Sequence, residues 1–254
     1  MVNFSGQSVT NIIPKEKSTA LVQKLGGLVS LSEKEISFLK SLQRNTFSVE
    51  KGGEFIRDGE TWDKTFILQK GWAIRYVILS SGRRQILGFV LPGDILGLHI
   101  NFCRTASYSA SALTPIQLAV VDPAGIMEIC EKYPLLGAGL NWCTAREFAI
   151  LGDHAVRLGR MSALERLAHL FLELWYRADL VGEIKGDWMA LPMTQEDLAD
   201  TLGLSLVHLN RTLRKMRHEN LISLVKHHVR LNNIEKLMSM TEFNTSHLEE
   251  FSTS

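Results

Sequence analysis

Apolar residues recur at helical spacing on both sides of Gly203 and predict two short helices between Thr194 and Met216. The inward-facing positions are Leu198, Leu202, Leu209, Leu213 and Met216. Thr194 is placed to cap the first helix, Gly203 to end it in a left-handed conformation, and Ser205 to cap the second. Two capped helices joined at a glycine predict a helix-turn-helix.

The second of these helices leaves a largely polar and basic face outward. Its outward positions are Val207, His208, Asn210, Arg211 and Arg214. After it, residues 220–231 alternate and carry β-branched side chains, which predicts a β-hairpin. A recognition helix followed by such a hairpin is the pattern of a winged helix.

The distribution of charge favours a nucleic-acid ligand for this segment. The formal net charge of the whole chain is only +1, but the charge is unevenly spread. From Ser205 to Arg230 a single acid, Glu219, accompanies the basic residues Arg211, Arg214, Lys215, Arg217, Lys226 and Arg230. A local excess of this kind supplies phosphate contacts. We therefore expect Thr194, Ser205 and Lys226 to join the outward helix residues in contacting DNA.

Between about residues 42 and 121 the pattern changes to short strands that alternate with glycine turns. The turn signals are Asp58-Gly59, Lys70-Gly71, Ser81-Gly82 and Pro92-Gly93-Asp94. Closely spaced strands with such turns are typical of a β-sandwich or barrel. The capping-box pattern from Ser32 to Glu35 predicts a short helix before the strands.

A long amphipathic helix is predicted from Pro134 to Leu158. Its stripe repeats at spacings of four and three residues and consists of Thr144, Phe148, Leu151, Ala155 and Leu158. A heptad-like stripe suits pairing with the same helix of a second subunit. The alternative is that the stripe packs on the chain's own β-domain, because one stripe does not distinguish the two partners.

Several changes of pattern divide the 254 residues, which exceed one average domain. Gly159 to Ser162 breaks the long helix, and Ser162 with Glu165 opens the next one through a second capping box. Residues 180–191 predict a loop or small hairpin, and the Ser/Thr-rich residues from about Met240 predict a disordered tail. The expected parts are an N-terminal segment (1–27), a β-domain (28–133), a long helix with a hinge (134–160), a DNA-binding domain (161–239) and the tail (240–254).

Some classes of protein and site are disfavoured. Cys103, Cys130 and Cys143 lie far apart without a Cys-x-x-Cys pair, which favours neither a disulfide framework nor a zinc or iron–sulfur site. The chain starts with polar residues and holds no apolar run of bilayer length, so we expect a cytoplasmic protein that does not enter a membrane. No Walker loop, His-Glu-x-x-His or Gly-x-Ser-x-Gly motif occurs, so an enzyme is not expected.

The order of these parts resembles the Crp/Fnr family of bacterial transcription regulators over roughly Leu28 to Leu231. The resemblance is carried by Gly59-Glu60, Gly71, Pro92-Gly93-Asp94, the hinge segment 158–168, the segment 198–205 and Asn210-Arg211. It implies an α+β chain with an antiparallel, jelly-roll-like β-roll of the cyclic-nucleotide-binding type, then a dimerisation helix and a winged helix-turn-helix.

The resemblance also implies how such a chain works. A homodimer would bind a roughly palindromic operator in double-stranded DNA, with one recognition helix in each of two successive major grooves. Binding of an effector in the β-roll would be relayed through the long helices and would change the spacing of the two helix-turn-helix units. The rotation would take place at the Gly159 to Ser162 hinge. RNA polymerase would be a further partner if the chain is an activator.

One departure from the family concerns the recognition helix. The best-known members read a C·G pair with a glutamate, and the matching position here is Val207, with His208 beside it. Arg211 is retained and can donate to guanine O6 and N7, whereas Val207 offers only apolar contact, for example to a thymine methyl. The operator should therefore differ from the familiar half-sites.

A second departure concerns the effector. By resemblance the pocket would include Gly93, Asp94, Leu96, His99, Tyr108 and Ser109. The last two stand where the family has an arginine and a serine that clamp the cyclic phosphate, and tyrosine supplies no bidentate cation. Arg104 is near in sequence but would need a different geometry. Cyclic AMP is thus not the expected effector.

Two alternative functions stay open. His99 matches the position of an axial ligand in haem-dependent gas sensors of the family, although a single histidine here is also an ordinary structural residue. The N-terminal cysteines of the iron–sulfur members are absent. The other alternative is a sensor module whose helical half binds a protein, against which the basic face around Arg211 and Arg214 argues.

Overall fold

The computed structural model describes residues 18–61, 63–98, 105–246 and 248. The β-domain contains two antiparallel four-stranded sheets, in the orders β1-β8-β3-β6 and β2-β7-β4-β5. The strands are β1 (Thr46–Val49), β2 (Glu54–Ile56), β3 (Thr65–Lys70), β4 (Ala73–Ile78), β5 (Arg84–Val90), β6 (Ile95–Leu96), β7 (Ser109–Ala112) and β8 (Ile116–Val121). Side chains of both sheets, among them Phe55, Phe66 and Leu118, share one core. The predicted β-roll is confirmed.

Two helices precede the strands, α1 (Ala20–Gly26) and α2 (Glu33–Leu42). Ser32 and Glu35 form the expected capping box at α2. The residues of α1 were expected to lie in a segment separate from the β-domain. Instead Leu21 and Leu25 are buried in one cluster with Ile67 of β3, because the apolar side of α1 covers that sheet. The part of the N-terminal segment that the structure describes therefore belongs to the β-domain.

Three helices lead from the β-domain to the C-terminal domain. They are α3 (Pro123–Lys132), α4 (Pro134–Arg160) and α5 (Ala163–Leu180). Met161 and Ser162 are extended between α4 and α5, and Ser162 caps α5 with Glu165 in the predicted box. The break in helical pattern is therefore a two-residue hinge.

The C-terminal domain combines a helix pair with a small sheet. Its helices are α6 (Gln195–Leu202), α7 (Leu206–His218) and α8 (Ile234–Thr241). The predicted hairpin is β11 (Ile222–Val225) with β12 (His228–Leu231), and β9 (Ile184–Lys185) with β10 (Trp188–Ala190) extends it to the order β11-β12-β10-β9. The loop or hairpin expected at 180–191 is thus a hairpin that pairs with the wing.

The disordered tail expected from residue 240 is wrong for the residues that the structure describes. Phe243 is buried, and its ring contacts those of His169 and Tyr176 on α5 at centroid distances of 4.8 and 5.8 Å. Leu248 is also buried. These side chains close the α5–α8 side of the core, although the surrounding composition is polar.

One apolar cluster runs through both halves of the chain. It includes Trp72, Ile74, Ile86, Phe89 and Leu91 of the β-domain together with Leu170, Phe171, Leu198, Leu202, Leu209 and Met216 of the C-terminal domain. The C-terminal domain therefore packs directly on β4 and β5. Among the described residues, no helix is both long and apolar enough to cross a bilayer.

Candidate DNA interface and sensor cavity

We call the helix-turn-helix formed by α6 and α7 the reading head. Its first helix, α6, begins at a capping box. The Thr194 hydroxyl accepts from the Asp197 amide at 3.1 Å, and Asp197 Oδ2 accepts from the Thr194 amide at 2.9 Å. The helix ends at Gly203, which has φ +61 and donates its N–H to the carbonyl of Ala199. Ser205 Oγ then accepts from the His208 amide and caps α7. Each cap falls on the residue that the sequence predicts.

The recognition helix α7 has the predicted division of faces. Leu209, Leu213 and Met216 are buried beneath it. Its exposed residues include Val207, His208, Arg211 and Arg214, and Thr194, Ser205 and Lys226 are exposed beside them. Asn210 is half-buried, and its side-chain amide donates to the carbonyl of Leu206 at 3.0 Å. Most of the predicted DNA-contacting side chains are therefore exposed, while Asn210 bonds to its own helix.

The stripe on α4 is exposed in this chain. Phe148 is 79% exposed and Leu151 is 49% exposed, and Thr144 and Ala155 are exposed with them. The alternative that this stripe packs on the chain's own β-domain is therefore wrong. Val156, which is 53% exposed, adds an apolar position that the strict four-and-three spacing missed.

Leu158, the last predicted position of the stripe, is different. It is half-buried, and a Cβ added to Gly203 would lie 3.4 Å from its Cδ2 atom. The end of α4 thus contacts the turn between α6 and α7. Arg166 reinforces this joint, because its guanidinium donates to the carbonyls of Met161 at 2.8 Å and Leu202 at 3.0 Å.

The opposite face of α4 is buried and charged. Arg157 donates to Glu173 of α5, and Arg177 donates to the other oxygen of Glu173 at 2.8 Å. Burial alone would raise the pKa of Glu173, but the charges of Arg157 and Arg177 outweigh it and lower the pKa to about 2. His154 lies on the same face, where burial and the neighbouring Arg157 lower its pKa to about 4.

Asp94 extends this network into the β-domain. Its Oδ1 atom accepts from Lys24 of α1 at 2.7 Å, and its Oδ2 atom accepts from Arg177 at 2.6 Å and from the Leu91 amide at 2.8 Å. Burial alone would raise the pKa of Asp94, but the charges of Lys24 and Arg177 outweigh it and hold the pKa well below its usual range. Asp94 was expected to face an effector, and instead it joins α1 to α5.

The other predicted pocket residues are scattered. A Cβ at Gly93, which has φ +84, would lie 2.9 Å from the main chain of Ala20, so α1 covers this turn. Ser109 Oγ accepts from the Asp58 amide at 3.1 Å. Leu96 lines a small cleft beside Asp94. His99 and Arg104 lie outside the described residues.

A cavity of about 60 Å³ lies between the β-domain and α4. Tyr108 is the predicted pocket residue that lines it; the other lining residues are Lys24, Arg75, Ile95, Leu98, Cys143, Thr144 and Glu147. Arg75 of β4 forms an ion pair with Glu147 of α4 across it. No local pattern of residues predicts this pair, because its members lie 72 positions apart. Two charges that satisfy each other leave little unpaired charge for a ligand.

Comparisons with known proteins agree with this architecture. Residues 46–133 match the family model of the cyclic nucleotide-binding domain, and residues 165–240 match that of the Crp-like helix-turn-helix domain. The solved structure of FixK2 from Bradyrhizobium japonicum superposes with a TM-score of 0.69 at 28% identity, covering 77% of this chain and 96% of that one.

Two curated relatives carry the family assignment. The nitrogen fixation regulation protein FixK of Bradyrhizobium diazoefficiens is 36% identical over 150 residues, which span 59% of this chain and 62% of FixK. The transcriptional activatory protein AadR of Rhodopseudomonas palustris is 34% identical over 176 residues, which span 68% of this chain and 72% of AadR. Both relatives are named as regulatory or activatory proteins. The chain belongs to the Crp/Fnr family of DNA-binding transcription regulators.

Proposed function

We propose that the chain acts as a homodimer on a two-fold symmetric DNA operator, with one α7 helix in each of two successive major grooves. The observation that carries this proposal is the exposed stripe on α4. Phe148 and Leu151 lie on the same side of a 27-residue helix, and Val156 further along it is also exposed. Exposed apolar area of this extent is unfavourable in water and marks an interaction surface.

A second copy of α4 is the partner that best fits this stripe. Its near-heptad spacing suits side-by-side packing with an identical helix, and a two-fold axis buries the same patch on both subunits. Since each α4 leads through the hinge into its own reading head, pairing of the helices holds two recognition helices at a fixed separation. That geometry matches a palindromic operator.

The proposed roles on DNA follow from the exposed side chains. Arg211 donates to guanine, and Val207 contacts a thymine methyl with His208 beside it. Arg214 and Lys226 bind phosphates, and Thr194 and Ser205 do so at helix N-termini, where the dipole favours anions. Asn210 also contacts DNA once its side-chain amide releases the carbonyl of Leu206.

The β-roll acts without cyclic AMP in this proposal. The cavity of about 60 Å³ is far smaller than the roughly 300 Å³ at which small-molecule pockets begin. Asp94 is held by Lys24 and Arg177, and Arg75 is held by Glu147. The residues present therefore do not fit a cyclic nucleotide, and the match to the nucleotide-binding family describes the fold.

The names of the relatives suggest the outcome of binding. AadR is named as an activatory protein and FnrL of Cereibacter sphaeroides as a transcriptional activator. We propose the same direction here, with RNA polymerase as the protein partner and the bacterial cytoplasm, where the chromosome lies, as the place of action.

The test is to place a charge on the stripe. Phe148→Glu is expected to give a monomer by light scattering and to reduce affinity for a palindromic operator to that for one half-site. Met127→Glu is the matched control, because Met127 is 57% exposed but lies on α3 and is not part of the stripe. A Phe148→Glu variant that stays dimeric, or a monomeric wild-type chain that binds the full operator, would contradict the proposal.

A further inference from the structure

The edge of β5 holds the first helix of the reading head through one arginine. Arg84 Nη2 donates to Asp197 Oδ1 at 2.7 Å, and Arg84 Nε donates to Asp200 Oδ2 at 2.8 Å. The two acids are three positions apart and therefore lie on the same side of α6. Next to them, Gln85 donates to the carbonyl of Thr201 at 3.3 Å. A planar guanidinium that binds two carboxylates fixes both the position and the rotation of the helix.

Asp197 links this contact to the start of the helix-turn-helix. Its Oδ2 atom accepts from the Thr194 amide and hydroxyl, at 2.9 and 2.8 Å, while Oδ1 binds Arg84. The β-domain therefore holds α6 by the acid of its capping box. Because α6 and α7 share one apolar core through Leu202 and Leu209, a contact that positions α6 also positions α7.

The contact leaves the DNA-reading surface open. Val207, Arg211 and Arg214 are exposed on α7, and none of them takes part in the bonds of Arg84. The contact is therefore not a cover that blocks DNA. What it restrains is the direction in which the head points relative to α4, since the chain between α4 and α5 is the two-residue hinge of Met161 and Ser162.

The contact is also separable from the fold. The Arg84 side chain is 30% exposed and Asp200 is 34% exposed. Asp197 is only 9% exposed, but it keeps its bonds to the Thr194 amide and hydroxyl when Arg84 is removed. Partly hydrated ion pairs contribute little to global stability. Removing Arg84 should thus loosen the head while the apolar cluster keeps the two halves folded.

We propose that Arg84 is a positioning residue that sets the half-site spacing accepted by the dimer. This inference rests on the proposed homodimer. Two heads related by a two-fold axis meet DNA at a separation near one helical turn, about 34 Å. Adding one base pair moves a half-site by about 3.4 Å and also rotates it around the duplex. A head fixed by Arg84 rejects such operators, and a head that turns at the hinge accepts them.

The experiment compares full-length variants on a ladder of operators. A palindrome selected with the wild-type chain is altered by one or two base pairs at its centre, and affinities are measured by fluorescence anisotropy. Wild type is expected to lose at least about tenfold off its best spacing, the size of one mismatched base pair. Arg84→Ala is expected to flatten that profile to within about threefold, at unchanged affinity for an isolated half-site.

Three further variants separate positioning from general damage. Arg83→Ala removes the same charge from the neighbouring residue, whose described side-chain bond goes to Ser81 Oγ, and should leave the profile intact. Arg84→Lys, which reaches one carboxylate at a time, should give an intermediate profile. Asp200→Asn breaks one of the two bonds from the side of the head, and adding it to Arg84→Ala should flatten the profile no further.

The outcomes are distinct. An Arg84→Ala profile with the wild-type spacing preference overturns the inference and leaves the dimeric operator in place. The inference is also overturned if Arg84→Ala lowers DNA affinity equally at every spacing and lowers affinity for the isolated half-site by the same factor. A wild-type chain that shows no spacing preference overturns the proposed function, and the inference falls with it.

Discussion

Basic side chains have opposite environments in two regions of the molecule. In the joint between the β-domain, α4 and α5, Lys24, Arg157 and Arg177 are buried, and each is ion-paired with an acid. On the recognition helix Arg211 and Arg214 are exposed, and within the described part of the chain neither forms an ion pair. A buried cation with its acid is committed to the fold, whereas an exposed one stays available to phosphate.

The largest expected effect is on the buried side. Glu173→Ala leaves the guanidinium groups of Arg157 and Arg177 without their shared carboxylate, and such losses cost about 3–5 kcal/mol. Urea unfolding followed by circular dichroism measures the change. Glu128→Ala is the control, because Glu128 pairs with Lys132 at the surface and its removal should leave the midpoint unchanged. If Glu173→Ala and Glu128→Ala had equal urea midpoints, the buried ion pairs would contribute no more to stability than the exposed ones.

The same region should make stability depend on pH. Burial keeps His154 neutral in the folded chain with a pKa of about 4, whereas the unfolded chain takes up a proton near its ordinary value of 6.5. Stability is therefore complete above pH 6.5 and falls as the pH drops towards 4, by on the order of 3 kcal/mol. Glu173, with a pKa lowered from 4.5 to about 2, adds a further loss between those values.

Urea titrations at a series of pH values between 7.5 and 4.5 check this prediction. His154→Gln should flatten the dependence above pH 4.5, while His218→Gln, at an exposed position, should follow wild type. A His154→Gln chain that loses stability with acid as steeply as wild type would assign the dependence to another group.

On the exposed side the effect should appear in DNA binding alone. Arg211→Ala is expected to cost about 1–3 kcal/mol of binding, concentrated at one base pair, with the free energy of unfolding unchanged. Lys226→Ala is the matched comparison, because a phosphate contact weakens binding to all sequences alike. Competition gel shifts with single-base operator variants measure both. Unchanged discrimination by Arg211→Ala would mean that Arg211 does not read a base.

How far the sequence predicts these two regions depends on the distance between partners. The caps of the reading head join residues three positions apart, such as Thr194 and Asp197, so their types and spacing sufficed. Asp94 looked like a pocket residue because its partners, Lys24 and Arg177, lie 70 and 83 positions away. No local pattern marks such a pair.

The α4 stripe and the tail show the same limit from the apolar side. The spacing of Phe148 and Leu151 predicted a stripe, but only the structure shows that the β-domain leaves it exposed. Phe243 stands among polar residues, so composition predicted disorder, and yet its ring packs against His169 and Tyr176 of α5. A periodic pattern predicts an element and its faces, and it does not identify what each face contacts.

The smallest expected effect separates binding from folding at a single residue. Lys226 adopts φ +51 in the wing turn, a conformation that a Cβ atom disfavours by about 1 kcal/mol. Lys226→Gly should therefore raise the free energy of unfolding by about that amount, and should weaken DNA binding while lowering its salt slope by about 1. Glu242→Gly is the control, since Glu242 has φ +50 at the end of α8 and should gain stability without any change in DNA affinity. Opposite signs for folding and binding at Lys226, measured by urea unfolding and by anisotropy at several salt concentrations, would show that its charge is kept for DNA at the expense of the turn. A Lys226→Gly chain that binds DNA with wild-type affinity and salt dependence would instead show that Lys226 does not contact DNA.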